Sequence, residues 1–449
     1  MIKEFVSFPS RVSLSLLVSM VIGAAPAWTQ TDPSEIAQLR AEIAQLLARV
    51  AELEARQQAA SSEHPSPAPL PAATASPAAA TPATVAPPEP AQMSWRWSGD
   101  FRYRSETLDI DSAPNRQRDR IRARVGFSAT VSEDVSAVVR ISTGDGLDPR
   151  SANATLSQLA ERKSLGVELA YLRWQPGGES ADWTVLAGKM PPPWQRSPSY
   201  FLDTDINPEG LAALWQPAKT GPFASVYYFS LLERKSARDS TLWGGQLGWR
   251  WNGGSQLALG LFDYQHVEGS DPFLDQDPAA AFGNSLTTGD LCRVGVARCL
   301  AQDFQVLQAL ADYRSKEWGW PVRLYAEYAR NLAYDRARAL VTGGSLGDRA
   351  GDQAYALGFT LGEARKPGGL EWGLLYQDVE RDALFAPWLD ADFGSGYSAA
   401  SGWVMRLGYA LSPRWVLNAT LFETDRDLDP AAGRERGEQR LHLDMNARF

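Results

Sequence analysis

The chain has 449 residues, 44% of them hydrophobic and 22% charged, with a formal net charge of −9. A mean hydropathy of −0.29 excludes a bundle of membrane helices, and after the export segment no uncharged apolar run approaches the ~20 residues a spanning helix needs. The acid excess speaks against nucleic-acid binding, and 3 His and 2 Cys beside 16 Trp, 14 Tyr and 16 Phe leave much aromatic surface and little catalytic or metal-binding chemistry.

Residues 1–27 read as an export signal, with Lys3 and Arg11 as the positive start, an apolar stretch from Val12 to Ile22, and Ala25-Pro26-Ala27 as the cleavage site. Such a chain enters an oxidising envelope, where a disulfide persists. Asp32-Pro33-Ser34-Glu35 combines an N-cap, a first-turn proline and a capping-box acid, which predicts a helix over 32–56. Ile36, Leu39, Ile43, Leu46, Val50 and Leu53 recur at spacings of three and four, the seam of a coiled coil. Residues 57–93 follow as a Pro/Ala-rich linker whose nine prolines make it an extended spacer.

From 94 to 449 the signal is period two. Trp95, Trp97, Gly99, Phe101 and Tyr103 alternate with Arg96, Ser98, Asp100, Arg102 and Arg104. Ile121, Ala123, Val125 and Phe127 alternate with Arg118, Arg120, Arg122 and Arg124. The pattern predicts about sixteen strands, near 94–108, 118–131, 134–143, 166–175, 182–189, 209–216, 222–232, 240–251, 255–265, 303–313, 321–330, 352–362, 369–378, 401–411, 414–423 and 438–449. Every second connection is turn-like, as at Ser132-Glu133, Asn252-Gly253-Gly254 and Ser412-Pro413, and those between are mostly longer. A sandwich has no reason to sort its loops this way, whereas an all-β transmembrane antiparallel barrel does. Trp95, Trp174, Trp183, Trp243, Trp251, Trp372, Trp403 and Trp415 stand near strand ends, as interfacial girdles require. The last strand alternates Leu441, Leu443, Met445 and Ala447 with polar residues and stops on Phe449, an arrangement resembling the insertion signal read by the barrel-assembly machinery.

The runs Gly99-Asp100-Phe101-Arg102-Tyr103-Arg104, Ser142-Thr143-Gly144, Ala187-Gly188-Lys189-Met190 and Asp203-Thr204-Asp205-Ile206-Asn207-Pro208-Glu209-Gly210 resemble the putative porin family of Gram-negative outer membranes. The likeness covers most of 95–449, and the coiled coil before it is similar to the N-terminal helices of such proteins. The resemblance implies a homotrimeric, water-filled channel in outer-membrane lipid, passing small polar or ionic solutes, with its N-terminal helix in the periplasm. It says nothing of which solute passes.

Closing the barrel sets the last strand beside the first. Their polar rows, with those of strands two and three, carry Arg96, Arg102, Arg104, Arg118, Arg120, Arg122, Arg124, Arg140, Arg440 and Arg448, which predicts a basic lumen wall. Asp203 and Asp205 on the loop 190–208, with Glu209 just after, are the acids expected to face it across a constriction. The competing reading pairs those arginines locally with Asp100, Glu106, Asp119 and Asp444. The run from Asp203 to Glu209 imitates a calcium loop, but Pro208 stands where glycine is required and Leu214 where the last carboxylate belongs, so no metal or cofactor is expected. Cys292 and Cys299 fit a disulfide in the longest loop. His266 and His442 are the barrel's only histidines and no Gly-x-Ser-x-Gly elbow accompanies them, which argues against an outer-membrane enzyme. The alternative function is structural, a barrel tethered through its coiled coil to a periplasmic or cell-wall partner. Strands 166–175, 182–189, 222–232 and 255–265 have two apolar faces, for which burial between subunits is one explanation.

Overall fold

The computed structural model describes residues 94–144, 146, 148–156, 159–235, 237–271, 281–317, 319–341, 351–429 and 434–449. The expected export signal, coiled-coil seam and linker lie outside the described residues.

Sixteen strands, counted among the described residues, form one closed antiparallel sheet. They are β1 (Trp95–Ile110), β2 (Arg116–Thr130), β3 (Val135–Thr143), β4 (Leu165–Trp174), β5 (Trp183–Lys189), β6 (Glu209–Trp215), β7 (Gly221–Leu232) and β8 (Ser240–Arg250). The second half comprises β9 (Gln256–Gln265), β10 (Phe304–Ser315), β11 (Val322–Asn331), β12 (Gln353–Gly362), β13 (Leu370–Val379), β14 (Ala400–Ser412), β15 (Trp415–Asp429) and β16 (Arg434–Arg448). Each strand pairs with the next, and β16 returns to β1, so the sheet has no open edge across the membrane. Beyond the end of β3, Ala154–Thr155 adds a two-residue strand to the edge of β2.

One rim carries only short connections, residues 131–134, 175–182, 216–220, 251–255, 316–321, 363–369 and 413–414. The other carries the long loops 144–164, 190–208, 266–303, 332–352 and 380–399. Two expected long connections are short instead. β1 and β2 turn over at 111–115, while β15 runs to Asp429 and β16 begins at Arg434, because these hairpins run several residues past the point where alternation fades. Above the membrane both faces are wet, so pairing continues without an apolar row to mark it.

Outward residues are strongly exposed, Trp97 reaching 67%, as a lipid-facing surface must be. Trp95, Trp174, Trp183, Trp251, Trp372 and Trp415 gather towards the short-turn rim. Trp243 and Trp403 lie towards the long-loop rim, each against a tyrosine of the adjacent strand, Tyr228 at 4.6 Å and Tyr376 at 4.9 Å between ring centroids. Two aromatic belts mark the two interfaces.

The interior is divided. Leu186 of β5, Tyr227 and Phe229 of β7, and Phe262 and Tyr264 of β9 point inward and are buried against Met190, Trp194 and Phe201 of loop 190–208. Phe385 and Phe393 of loop 380–399 complete this core. The Trp194 ring lies 5.0 Å from Tyr227 and 5.2 Å from Phe262. Each such side chain contributes about 1.5–3 kcal/mol when withdrawn from water. The second apolar face of the strands at 182–189, 222–232 and 255–265 is thus inside the barrel, covered by loops of the same chain.

The seam between first and last strands ends on Phe449, whose backbone N–H and C=O both pair with Gly99 at 3.0 Å. The Phe449 ring lies flat over Gly99, where a Cβ would overlap both the ring and the Arg124 carbonyl. Gly99→Val is therefore expected to cost about 1–3 kcal/mol by overpacking and to lower the fraction of heat-modifiable, folded barrel on a gel. An unchanged folded fraction would show that the terminal ring is not needed for closure.

Candidate functional site

Strand register assembles the polar half of the interior. Across β1 and β2, Asp100 faces Arg124, Arg102 faces Arg122, Arg104 faces Arg120, and Glu106 faces Arg118. Across β1 and β16, Arg104 faces Asp444 and Glu106 faces His442. Two of these facing pairs are arginine on arginine, which repel unless carboxylates stand beside them. They do. Arg104 binds Asp444 through two nitrogens at 2.7 and 3.0 Å. Glu106, fully buried, accepts from Arg118 at 2.8 Å and Arg120 at 3.3 Å, with the His442 ring nitrogen 3.5 Å away. Asp100 takes Arg122 at 2.9 Å and Arg124 at 2.8 Å. Glu168 takes Arg140 at 2.5 Å and Arg124 at 3.3 Å.

Loops from the long-loop rim fold in and meet this wall. Loop 190–208 crosses the lumen on a chain of anchors. Its Gln195 backbone exchanges two hydrogen bonds with the Gln246 side chain of β8, at 2.7 and 3.1 Å. Ser197 and Ser199 donate to Glu327 of β11, and the Tyr200 N–H donates to Gln377 of β13 at 2.8 Å. The far end reaches the wall, where Asp205 lies 3.7 Å from Arg122 and 3.6 Å from Arg124 and accepts the Ala152 N–H at 3.0 Å. Loop 380–399 contributes Asp392, which accepts from Arg104 at 2.9 Å and Arg440 at 3.4 Å. Loop 144–164 supplies Ser151 to Arg120 at 3.1 Å and Asn153 to Arg102 at 2.6 Å. A cavity of about 550 Å³ opens above this junction, lined by seven Lys or Arg and three carboxylates.

A family model described as a putative porin matches residues 106–284 and 283–449, most of the chain. The chain belongs to the putative porin family. No curated protein matches it in sequence. Among solved structures it is similar to OprB of Pseudomonas putida in its high-pH form, with a TM-score of 0.50 and 11% identity, over 79% of this chain and 94% of that one. It is also similar to OmpF of Salmonella typhi in complex with daunomycin, with a TM-score of 0.47 and 11% identity, over 79% and 97%. At such identities the likeness bears on the fold alone. Family membership makes the chain an outer-membrane porin, a channel-forming barrel.

In this porin, Arg102, Arg104, Arg118, Arg120, Arg122, Arg124, Arg140 and Arg440 gather on one sector of the interior, while Arg96 and Arg448 stand exposed at the short-turn end of the same rows, outside the cluster. Asp203 and Asp205 belong to the inward loop, but Glu209 does not join them. It opens β6 on the row of lipid-facing Leu211 and, 63% exposed, pairs with Lys189 at 2.8 Å. Alternation explains this: a residue one step into the strand goes out, not in. Asp119, for the same reason, lies on the opposite face of β2 from the arginines it was expected to pair with. Cys292 and Cys299 are joined in loop 266–303, Cα atoms 5.4 Å apart.

Sequence reasoning missed three carboxylates, and one of them, Glu438, stands two residues before Arg440 on the same inward row and pairs with it at 2.9 Å. Glu168 enters the cluster because the β3–β4 ladder shifts register beside it, between Arg140 and Ile141, and breaks the alternation. Asp392 sits in a loop with no strand pattern to place it, and the triplet Asp382, Asp390, Asp392 was the only available signal.

The loop carboxyls differ in charge state. Burial, Asp392 and Asp205 push the Asp390 carboxyl up to about 7. Burial, Asp390 and Asp205 push Asp203 well above the usual range, although its oxygens accept the Asp205 and Ala391 N–H groups. Burial also opposes the charge of Asp392, but His442, Arg104 and Arg440 outweigh it and hold that carboxyl well below the usual range. Asp390 thus faces Asp203, Asp205 and Asp392 with Arg196 nearby, whose guanidinium donates to the Asp203 carbonyl. A carboxyl whose folded pKa is raised favours the folded junction while protonated, and that contribution fades as pH rises through the raised value. Hydrogen exchange over 385–393, corrected for intrinsic rates, is expected to quicken as pH rises through about 7. Asp390→Asn should flatten the dependence; an unaltered profile in that variant would place the titration elsewhere.

Proposed function

We propose that this porin passes small polar and ionic solutes by diffusion along the arginine-lined sector of its interior, with a preference for anions. The reading rests on one observation. Of the eight arginines of the sector, seven meet five strand carboxylates and two loop carboxylates in ion pairs, and Arg102 has only Asn153, with no carboxylate in ion-pair reach among the described residues. The strand wall by itself is basic, and the loops offset most but not all of its excess. A water-filled path beside such a wall attracts anions and orients dipolar solutes. The apolar core on the other side narrows that path to the arginine sector.

This reading includes homotrimeric association, an N-terminal periplasmic helix free to contact the cell wall, and insertion by the assembly machinery through the strand ending at Phe449. It includes no catalytic role, which accords with the family of channel-forming barrels to which the chain belongs. The packed interior specifically favours one second reading, a plugged barrel whose role is structural.

Single-channel recording in a planar bilayer, with reversal potential in a salt gradient, separates the two. Current steps in threes with a reversal potential on the anion side are expected, and the triple variant R120E, R122E, R124E should move it towards cations by several-fold in permeability ratio. Heat-modifiable protein that gives no steps would favour the plugged barrel. Steps with unchanged selectivity in the triple variant would remove the arginine wall from the account.

A further inference from the structure

Asp392 is placed as a bound ligand would be. Its carboxylate takes hydrogen bonds from Arg104 at 2.9 Å and Arg440 at 3.4 Å, with the His442 ring nitrogen 3.8 Å away. Those three groups belong to β1 and β16, whereas Asp392 arrives from a loop. Its side chain is 24% exposed and opens on the 550 Å³ cavity above, where cationic side chains outnumber carboxylates seven to three. The neighbouring Arg120 is only 9% exposed, and its Nε has no hydrogen-bond partner among the described residues. Buried guanidinium donors left over in this way are a site for an acceptor.

The segment holding Asp392 is itself built to yield. Gly394, Ser395 and Gly396 occupy the left-handed region in succession, with φ of 54°, 55° and 76°. Ser395 in that conformation carries a cost that the surroundings must offset. Its hydroxyl accepts from Arg440 at 2.8 Å and donates to Glu438 at 2.6 Å, so the same arginine holds both ends of the turn. The body of the loop is fixed by Phe385 and Phe393 in the apolar core, which confines any movement to its tip.

We propose that Arg104, Arg440 and His442 form a binding site for carboxylate solutes in transit, occupied at rest by Asp392 as an internal stand-in that the solute displaces. The inference rests on the channel reading above and gives it a substrate class. A carboxylate entering the basic cavity is drawn to the same donors, exchanges with the Asp392 side chain and frees the turn at 394–396, while Phe393 stays in the core. While it holds those donors the solute stands in the basic path, so occupancy of the site obstructs chloride there. Uncharged solutes of the same size lack the means to displace the stand-in.

Succinate tests this on the full-length porin in a bilayer, added on the long-loop side while chloride current is read. In Asp392→Asn the donors lose their loop carboxylate and keep their strand partners, so succinate should block the current at about tenfold lower concentration than in the wild type. Asp392→Glu restores a carboxylate and should return the block towards the wild-type value, and glucose should block neither form. Equal succinate block in wild type and Asp392→Asn would overturn the site. Hydrogen exchange of the wild-type protein needs neither current nor a folded variant. Excess succinate should raise exchange over 390–397 relative to chloride of equal ionic strength, and unchanged exchange would overturn the site too. Absence of current with succinate-dependent exchange would refute the channel while leaving the site standing.

Discussion

No backbone N–H or C=O can go unpaired in hydrocarbon, and from that constraint the rest of this porin follows. It forces the sheet to close, and closure brings β16 against β1. Residues more than three hundred positions apart then become neighbours: Arg104 and Asp444, Glu106 and His442. Period-two alternation does the second half of the work. It sends Phe101, Tyr103, Leu443 and Met445 into lipid and turns Arg102, Arg104, His442 and Asp444 towards the lumen without a choice at each position. The polar cluster is a by-product of closure acting on alternation.

Concentrating guanidinium groups inside a barrel is costly unless each finds a partner, because a buried charge without one destabilises by several kcal/mol. The strands answer with Asp100, Glu106, Glu168, Glu438 and Asp444, and the loops add Asp205 and Asp392. This explains why the wall and the loops are interdependent. Without Asp205 and Asp392 the wall would carry a larger uncompensated excess, and without the wall those two carboxylates would have no cations to fold against. The apolar contacts of Trp194, Phe201, Phe385 and Phe393 supply the non-directional part of the same docking, holding the loop bodies while the charges fix their tips. The interior is thus divided into an oily half and an ionic half, and the proposed path runs along the ionic one.

What the amino-acid pattern revealed is what symmetry of the sheet controls. Strand positions, the outward aromatic belts at Trp95, Trp183, Trp243 and Trp403, and the inward arginine rows all follow from alternation, which is a local property. Where alternation stops, legibility stops. Glu168 is missed because the ladder shifts register beside it, and Glu209 is misread because one step across a strand boundary reverses its face. Asp392 is invisible for a deeper reason: its partners are chosen by how a loop folds across a closed barrel, and no local period encodes that. The doubly apolar strands misled in the opposite direction. Phe229 and Phe262 do mark burial, but the burying surface is a loop of the same chain, which a sequence alone cannot distinguish from a neighbouring subunit.

The same geometry recasts the constriction. Acid and base were expected to face each other across an open gap, but here Asp205 and Asp392 touch the arginines. An open gap would hold a standing field, and a solute would only be oriented by it. A closed ion pair instead sets a threshold, since a solute must offer the guanidinium groups at least what the loop carboxylate offers. Coulomb attraction at a few ångströms in a partly desolvated site far exceeds that of a dipole at the same place. On the proposed displacement, selection acts through competition for donors already in use, so charge type counts for more than size. A wall that is almost neutralised can therefore discriminate more sharply than a bare one, provided its neutralising groups are mounted on a segment that can move.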